Sequence, residues 1–147
     1  MLRAVVIVVC TCLLAACGGE DPDTAYRDET LAQVNNLIDA ATEIQELTRA
    51  AAERVALFLN DDWQSDMREQ LSILHDVSDA IGNLSPPDEF EDAHAALSRA
   101  TECYSDGATE YEQALDAQSA LGNAAGAIWA SCGDLMQDAT LELQRVD

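Results

Sequence analysis

Hydrophobic residues recur along the chain at spacings of three and four, the signature of helices that bury one face, in four stretches parted by short polar breaks. The first stretch carries Leu31, Val34, Ile38, Ala41, Ile44, Leu47, Ala51, Val55 and Phe58, with Asp39, Glu43, Glu46 and Arg49 between them. With Asp23 or Thr24 as cap, this pattern predicts one long helix to about Leu59. Asn60-Asp61-Asp62 interrupts it, because these side chains cap ends and form turns better than they propagate helix. A second helix then turns Met67, Leu71, Leu74, Ser78 and Ile81 inward, helped by Ile73 and Val77, and Gly82-Asn83 offers a left-handed end. Trp63 at its start is placed to lid a bundle end or, if exposed, to touch lipid.

Ser85-Pro86-Pro87-Asp88 predicts the start of a third helix, with Ser85 as cap, Pro86 in the first turn and Asp88 completing a box-like pattern. Its seam alternates spacings of four and three through Phe90, His94, Leu97, Thr101, Tyr104, Ala108, Tyr111 and Leu115. A flank of Ala93, Ala100, Gly107 and Ala114, seven apart, lets a neighbouring helix approach closely. Asp106-Gly107 is also a turn dipeptide, so a kink or stop is the rival reading there. The fourth helix, from about Leu121 to Val146, carries Ala125, Ile128, Cys132, Leu135 and Ala139 inward, flanked by Trp129, Met136 and Leu143. Short connections between amphipathic segments predict an all-α fold, an antiparallel up-down-up-down four-helix bundle over residues 24–147.

The chain before that bundle has a different make-up. Met1-Leu2-Arg3 brings one positive charge, and residues 4–16 are almost wholly apolar, as in a secretory signal peptide. Such a run spans roughly 20 Å as a helix, short of the roughly 30 Å of hydrocarbon that a crossing helix must cover. It ends in Leu14-Ala15-Ala16-Cys17-Gly18-Gly19. Cleavage by a general signal peptidase after the two alanines is the closest rival reading. An apolar residue, two small ones and an obligatory thiol resemble the lipobox of bacterial lipoprotein precursors. That resemblance covers the first seventeen residues and implies removal of residues 1–16, a mature N-terminus at a diacylglyceryl-modified Cys17, and residues 17–23 as a tether. It also implies a lipid-anchored location on the extracytoplasmic side of the cell membrane or outer membrane, with the membrane as partner through acylated Cys17. Two or three acyl chains on one residue anchor stably where a single chain does not.

Charge narrows the partners. The chain has 28 acidic residues against seven basic ones and a net charge of −21, with no lysine at all. A field of that sign repels phosphate backbones and anionic lipid, so no nucleic-acid partner is expected. A basic envelope protein is the partner it permits, while solubility, genome composition or a salty habitat would account for the acidity without one.

Of five cysteines, Cys10 and Cys12 fall in the signal and Cys17 would carry lipid, which leaves Cys103 and Cys132. In an exported protein these form a candidate disulfide, two buried thiols being the alternative. Both sit symmetrically about a turn expected within residues 117–123, so an antiparallel hairpin brings them to the same height.

Catalytic chemistry finds little support. Glu91-x-x-His94 has the spacing of ferritin-like di-iron bundles, but Ser72 stands where a second pair with His75 would need its carboxylate. His75 with Asp76 and Asp79 lacks a third fixed ligand for a divalent ion. Neither histidine has the setting of a catalytic base, and no phosphate loop, haem attachment or calcium loop is present. His94, Thr101, Tyr104 and Tyr111 share one seam and are the candidate pocket residues, the alternative being internal hydrogen bonds. The stretch Leu84 to Phe90 with His94 resembles a loop-and-helix pattern of exported bacterial helical proteins and implies no activity. The expected function is a non-catalytic binding or structural module of the bacterial envelope, with no cofactor. A small-molecule or cation sensor with a cleft between helices is the first alternative, and a metal-dependent enzyme the second.

Overall fold

The computed structural model describes residues 21–117 and 123–146, and within the last helix the side chains of Trp129 and of residues 131–146. The expected signal peptide, Cys17, the start of the tether, the link between the last two helices, and the side chains of Ala125 and Ile128 lie outside the described residues. Four helices follow in order: α1 (Pro22–Glu53), α2 (Asp61–Asn83), α3 (Glu91–Asp116) and α4 (Asn123–Arg145). Single 3-10 turns at Val55–Leu59 and Asp88–Phe90 join the first three. The described fold is all-helical: α1 packs on α2, α2 on α3 and α3 on α4. No helix among the described residues is long and apolar enough to cross a membrane.

The start of α1 lies slightly upstream of the expected cap. Pro22 occupies its first turn, where a missing amide hydrogen is no loss. The helix also ends earlier than its hydrophobic pattern predicts. Arg54 is extended (φ −137°, ψ 82°), and the chain from Val55 to Leu59 folds back as a 3-10 turn. That turn sets the Phe58 ring edge-on to Trp63 with centroids 5.0 Å apart and lays Leu57 and Phe58 against the core. Burial of two large side chains outweighs continuation of the helix, which would carry Phe58 onward along the axis. Val55, inner in the sequence pattern, and Leu59, the expected end of the helix, are consequently exposed.

The inner face of α1 is rotated by one position from the expected stripe in its first half, whereas Ile44 and Ala51 are buried as expected. Tyr26, Thr30, Leu37, Ala40, Ile44 and Ala51 are buried, whereas Leu31 and Ile38 are 59% and 51% exposed. Thr30, Leu37, Ile44 and Ala51 are seven apart, a regular seam that begins with residues the apolar pattern did not count.

Expectation and structure agree closely along α2. The Asn60 side chain accepts the Trp63 amide hydrogen at 2.8 Å, satisfying one of the free donors of the first turn. Met67, Leu71, Leu74 and Ile81 are buried as expected, with Val77 taking the inward place assigned to Ser78. Trp63 is buried and its indole N–H donates to the Leu47 carbonyl at 3.1 Å, so it lids the bundle end. Gly82-Asn83 does not form a left-handed end. The helix runs through Asn83, whose amide donates to the Asp79 carbonyl at 2.7 Å, and Leu84 leaves in an extended conformation.

Two prolines explain that exit and also correct the expected start of α3. A residue before proline is disfavoured in the helical region, so Pro86, which precedes Pro87, cannot serve as the first helical residue and Ser85 has no helix to cap. The chain first turns at Asp88–Phe90, where the Phe90 amide donates to the Pro87 carbonyl at 2.8 Å, and α3 begins at Glu91. From there it is unbroken through Gly107, which is buried. Close packing, rather than a kink, accounts for that glycine. Ala93, Ala96, Ala100 and Ala108 are buried with it.

A disulfide joins Cys103 of α3 to Cys132 of α4, with Cα atoms 5.5 Å apart. That spacing falls inside the roughly 4.4–6.8 Å window such bridges require. The core runs from Phe90 at one end through Leu97, Leu37, Leu74, Leu71, Ile44 and Met67 to Trp63 at the other.

Candidate functional site: an open seam between the first and last helices

The four candidate pocket residues on α3 are tied largely to their neighbours. His94 is half-buried, with Nδ1 3.1 Å from the Tyr26 hydroxyl and Nε2 3.5 Å from the Ser98 hydroxyl. Burial disfavours its charged form and holds its pKa below the ordinary 6.5. Thr101 is fully buried and donates to the Ser98 carbonyl at 3.1 Å. The Tyr111 hydroxyl lies 2.7 Å from that of Thr48 on α1, and its ring stacks on Trp129 of α4 with centroids 6.0 Å apart. Burial raises the Tyr111 pKa above 10, an effect the Thr48 hydrogen bond partly offsets. Tyr104 is half-buried against the core, and burial raises its pKa too. These groups cross-link α1, α3 and α4.

Neither histidine gathers metal ligands. Glu91 is exposed while both nitrogens of His94 face hydroxyl groups. His75 turns toward α3, with Nδ1 2.7 Å from the Ser105 hydroxyl and Nε2 3.8 Å from the Glu112 carboxylate. Asp76 and Asp79 are exposed on the helix that carries it. Among the described residues, no three His, Cys, Asp or Glu side chains converge to hold an ion.

Periodicity does not reveal a concavity between α1 and α4. Among the described residues α1 and α4 make little direct contact, and between them lies a groove of about 390 Å³. One wall is Arg27, Thr30, Leu31 and Val34 of α1, and the other is Met136, Thr140, Leu143 and Gln144 of α4. Phe90 and Leu97 form its floor. The volume lies within the range of roughly 300–1,000 Å³ typical of small-molecule sites, and the lining is mainly apolar, as such sites usually are. The signal that could have found it was the width of the apolar surface of α1. Leu31 and Ile38 extend it beyond the face that the core covers, while Val34 still packs against that core.

Polar groups are few in this groove, and two features set them apart. Thr30 is 3% exposed, yet its hydroxyl has no hydrogen-bond partner among the described residues. It is close enough to Tyr26 to temper the rise that burial imposes on that phenol's pKa, but it stands outside hydrogen-bonding geometry. At the same end the Arg27 guanidinium lies 4.8 Å over the Phe90 ring. Acidic groups surround it: the negative charge of Asp23 is the main reason the Glu89 carboxyl has a raised pKa, with Arg27 acting in the opposite sense. On α4, the buried indole N–H of Trp129 also has no partner among the described residues.

Compared with known proteins, the chain matches no family model, and neither a curated protein nor a solved structure shows significant similarity to it.

Proposed function

We propose that this chain is an exported lipoprotein of the bacterial envelope, held on the extracytoplasmic face of a membrane by acylated Cys17, and that it binds or scaffolds rather than catalyses. The observation that carries the reading is the Cys103–Cys132 pairing. Bridges of this kind persist in oxidising, extracytoplasmic compartments and are rare where thiols are kept reduced. The compartment implied by the bridge agrees with the lipobox reading at the other end of the chain.

The finer architecture in this reading is an up-down-up-down antiparallel bundle. Cross-helix pairs support it: Tyr26 meets His94 and Thr48 meets Tyr111, as expected for α1 and α3 running the same way. Arg68 meets Asp116 and His75 meets Ser105, as expected for α2 and α3 running oppositely. A role in binding is supported by the groove between α1 and α4, which favours a small molecule over a cation as the thing sensed.

Mass spectrometry of the N-terminal peptide from membranes of an exporting bacterial host tests the anchor. A Cys17 bearing diacylglyceryl mass is expected, and Cys17→Ser should abolish acylation. An unmodified residue 17, or residues 1–16 retained in the finished protein, would overturn the assignment.

A further inference from the structure

We propose that the groove between α1 and α4 binds a single-chain amphiphile, an alkyl chain joined through an ester, amide or hydroxyl-bearing carbon to a positively charged head group. The chain lies between Leu31 and Val34 of α1 and Met136 and Leu143 of α4, over Leu97. Leu31 would lose its exposure to water on binding, a gain of the ordinary hydrophobic kind. Thr30 faces the polar link. A buried hydroxyl without a partner is costly, and one that lines a groove is relieved when a ligand supplies an acceptor or donor.

The sign of the head group follows from the charges at that end. Arg27 is the groove's basic side chain, but Asp23 stands one turn before it on α1 and Glu89 lies beside Phe90, close enough to Asp23 for mutual repulsion. An anionic head would meet that pair of carboxylates in a chain of net charge −21, whereas a cationic head separates and neutralises them. Spacing is consistent with one extended molecule. Asp23 and Thr30 are seven residues apart, roughly 10 Å along the helix, so head, link and chain follow one another down α1. The site also lies near the start of α1. If residue 17 is the acylated terminus, the intervening chain spans at most roughly 18 Å, which keeps the groove near the membrane surface where amphiphiles collect. The groove assignment itself does not depend on that anchor.

Photo-cross-linking of the full mature protein in phosphatidylcholine nanodiscs, with dodecanoylcholine carrying a diazirine in its chain, tests the proposal. Labelled peptides should map to residues 27–34 and 136–144. Unlabelled dodecanoylcholine should compete about tenfold better than dodecyl sulfate, the factor one favourable ionic contact supplies. Met136→Trp, which fills the groove, should suppress labelling; Leu31→Gln, at an exposed position that leaves the fold intact, should weaken it several-fold. Thr30→Val should reduce competition by dodecanoylcholine more than by dodecyltrimethylammonium, which has no polar link. Labels scattered over the helix exteriors, labelling unchanged in both Met136→Trp and Leu31→Gln, or dodecyl sulfate competing as well as the cation would each overturn the proposal. The cross-link map reads the groove and the N-terminal mass reads the anchor, so either can fail while the other stands.

Discussion

Replacing Cys103 and Cys132 together by alanine removes the covalent link between α3 and α4 without adding bulk at the buried Cys132. The two are separated by 29 positions, and a closed loop of that length restricts the unfolded chain by about 3 to 4 kcal/mol at 25 °C on the chain-entropy account. That is a large fraction of the 5 to 15 kcal/mol by which domains of about this size are stable, and corresponds to a fall of about 10 °C or more in Tm. The effect acts chiefly through the unfolded state, so urea unfolding should show a steeper denaturant dependence as well as a lower midpoint, since the uncrosslinked chain exposes more surface. The loss should not be uniform. α4 rests mainly on α3 and hardly meets α1 among the described residues. Amide hydrogen exchange in the variant should therefore rise first along α4, with α1 and α2 retaining protection. A loss under about 1 kcal/mol with an unchanged slope would refute the entropic argument. Two reactive thiols in the denatured, unreduced mature protein would refute the pairing itself.

Other substitutions read single contacts. Asn60→Ala should cost about 1 kcal/mol in urea midpoint, because the Trp63 amide loses its side-chain acceptor at the start of α2. Trp63→Phe retains an aromatic ring near Phe58 but removes the indole donor to the Leu47 carbonyl, which keeps its bond within α1, and should cost about 1 kcal/mol by the same measurement. For pH, the sign follows from which state holds more protons. His94 is neutral in the folded protein below 6.5, where the unfolded imidazole is already charged, so stability falls as pH drops through 6.5 toward the lower folded value. His94→Asn should remove that part of the slope, measured by urea midpoints across the window. Tyr26, Tyr104 and Tyr111 have pKa values raised by burial, so their contribution is complete below pH 10 and is lost as pH climbs through 10 and beyond. Tyrosinate absorbance should consequently rise together with unfolding rather than ahead of it.

The parts of this fold legible in the sequence are those where one local rule acts alone. α2 has a capping asparagine and an apolar stripe, and the structure departs from the reading at one inward position and at the expected left-handed end. Elimination and near-symmetry about an expected turn make Cys103 and Cys132 a candidate pair, and the structure joins them by a bridge between α3 and α4. Where two rules compete, the reading slips. Ser85 is a good cap by residue type, yet Pro87 keeps Pro86 from being the first helical residue, so α3 starts five residues later. Continuation of α1 past Arg54 is favoured by periodicity but loses to the packing of Phe58 on Trp63, a contact between elements that spacing within one helix cannot reveal. The rotated face of α1 has the same origin with a different consequence. Tyr26 and Thr30 enter the seam because His94 and Phe90 lie opposite them, and the resulting turn leaves Leu31 and Ile38 outside. α1 carries more apolar surface than α2 and α3 cover, and α4 does not close over the excess. The residues that periodicity placed inside and the structure leaves exposed thus include a wall of the groove. Of the exposed apolar residues Leu31, Ile38, Val55 and Leu59, Leu31 is the one that lines the groove, beside a Thr30 hydroxyl that has no partner among the described residues.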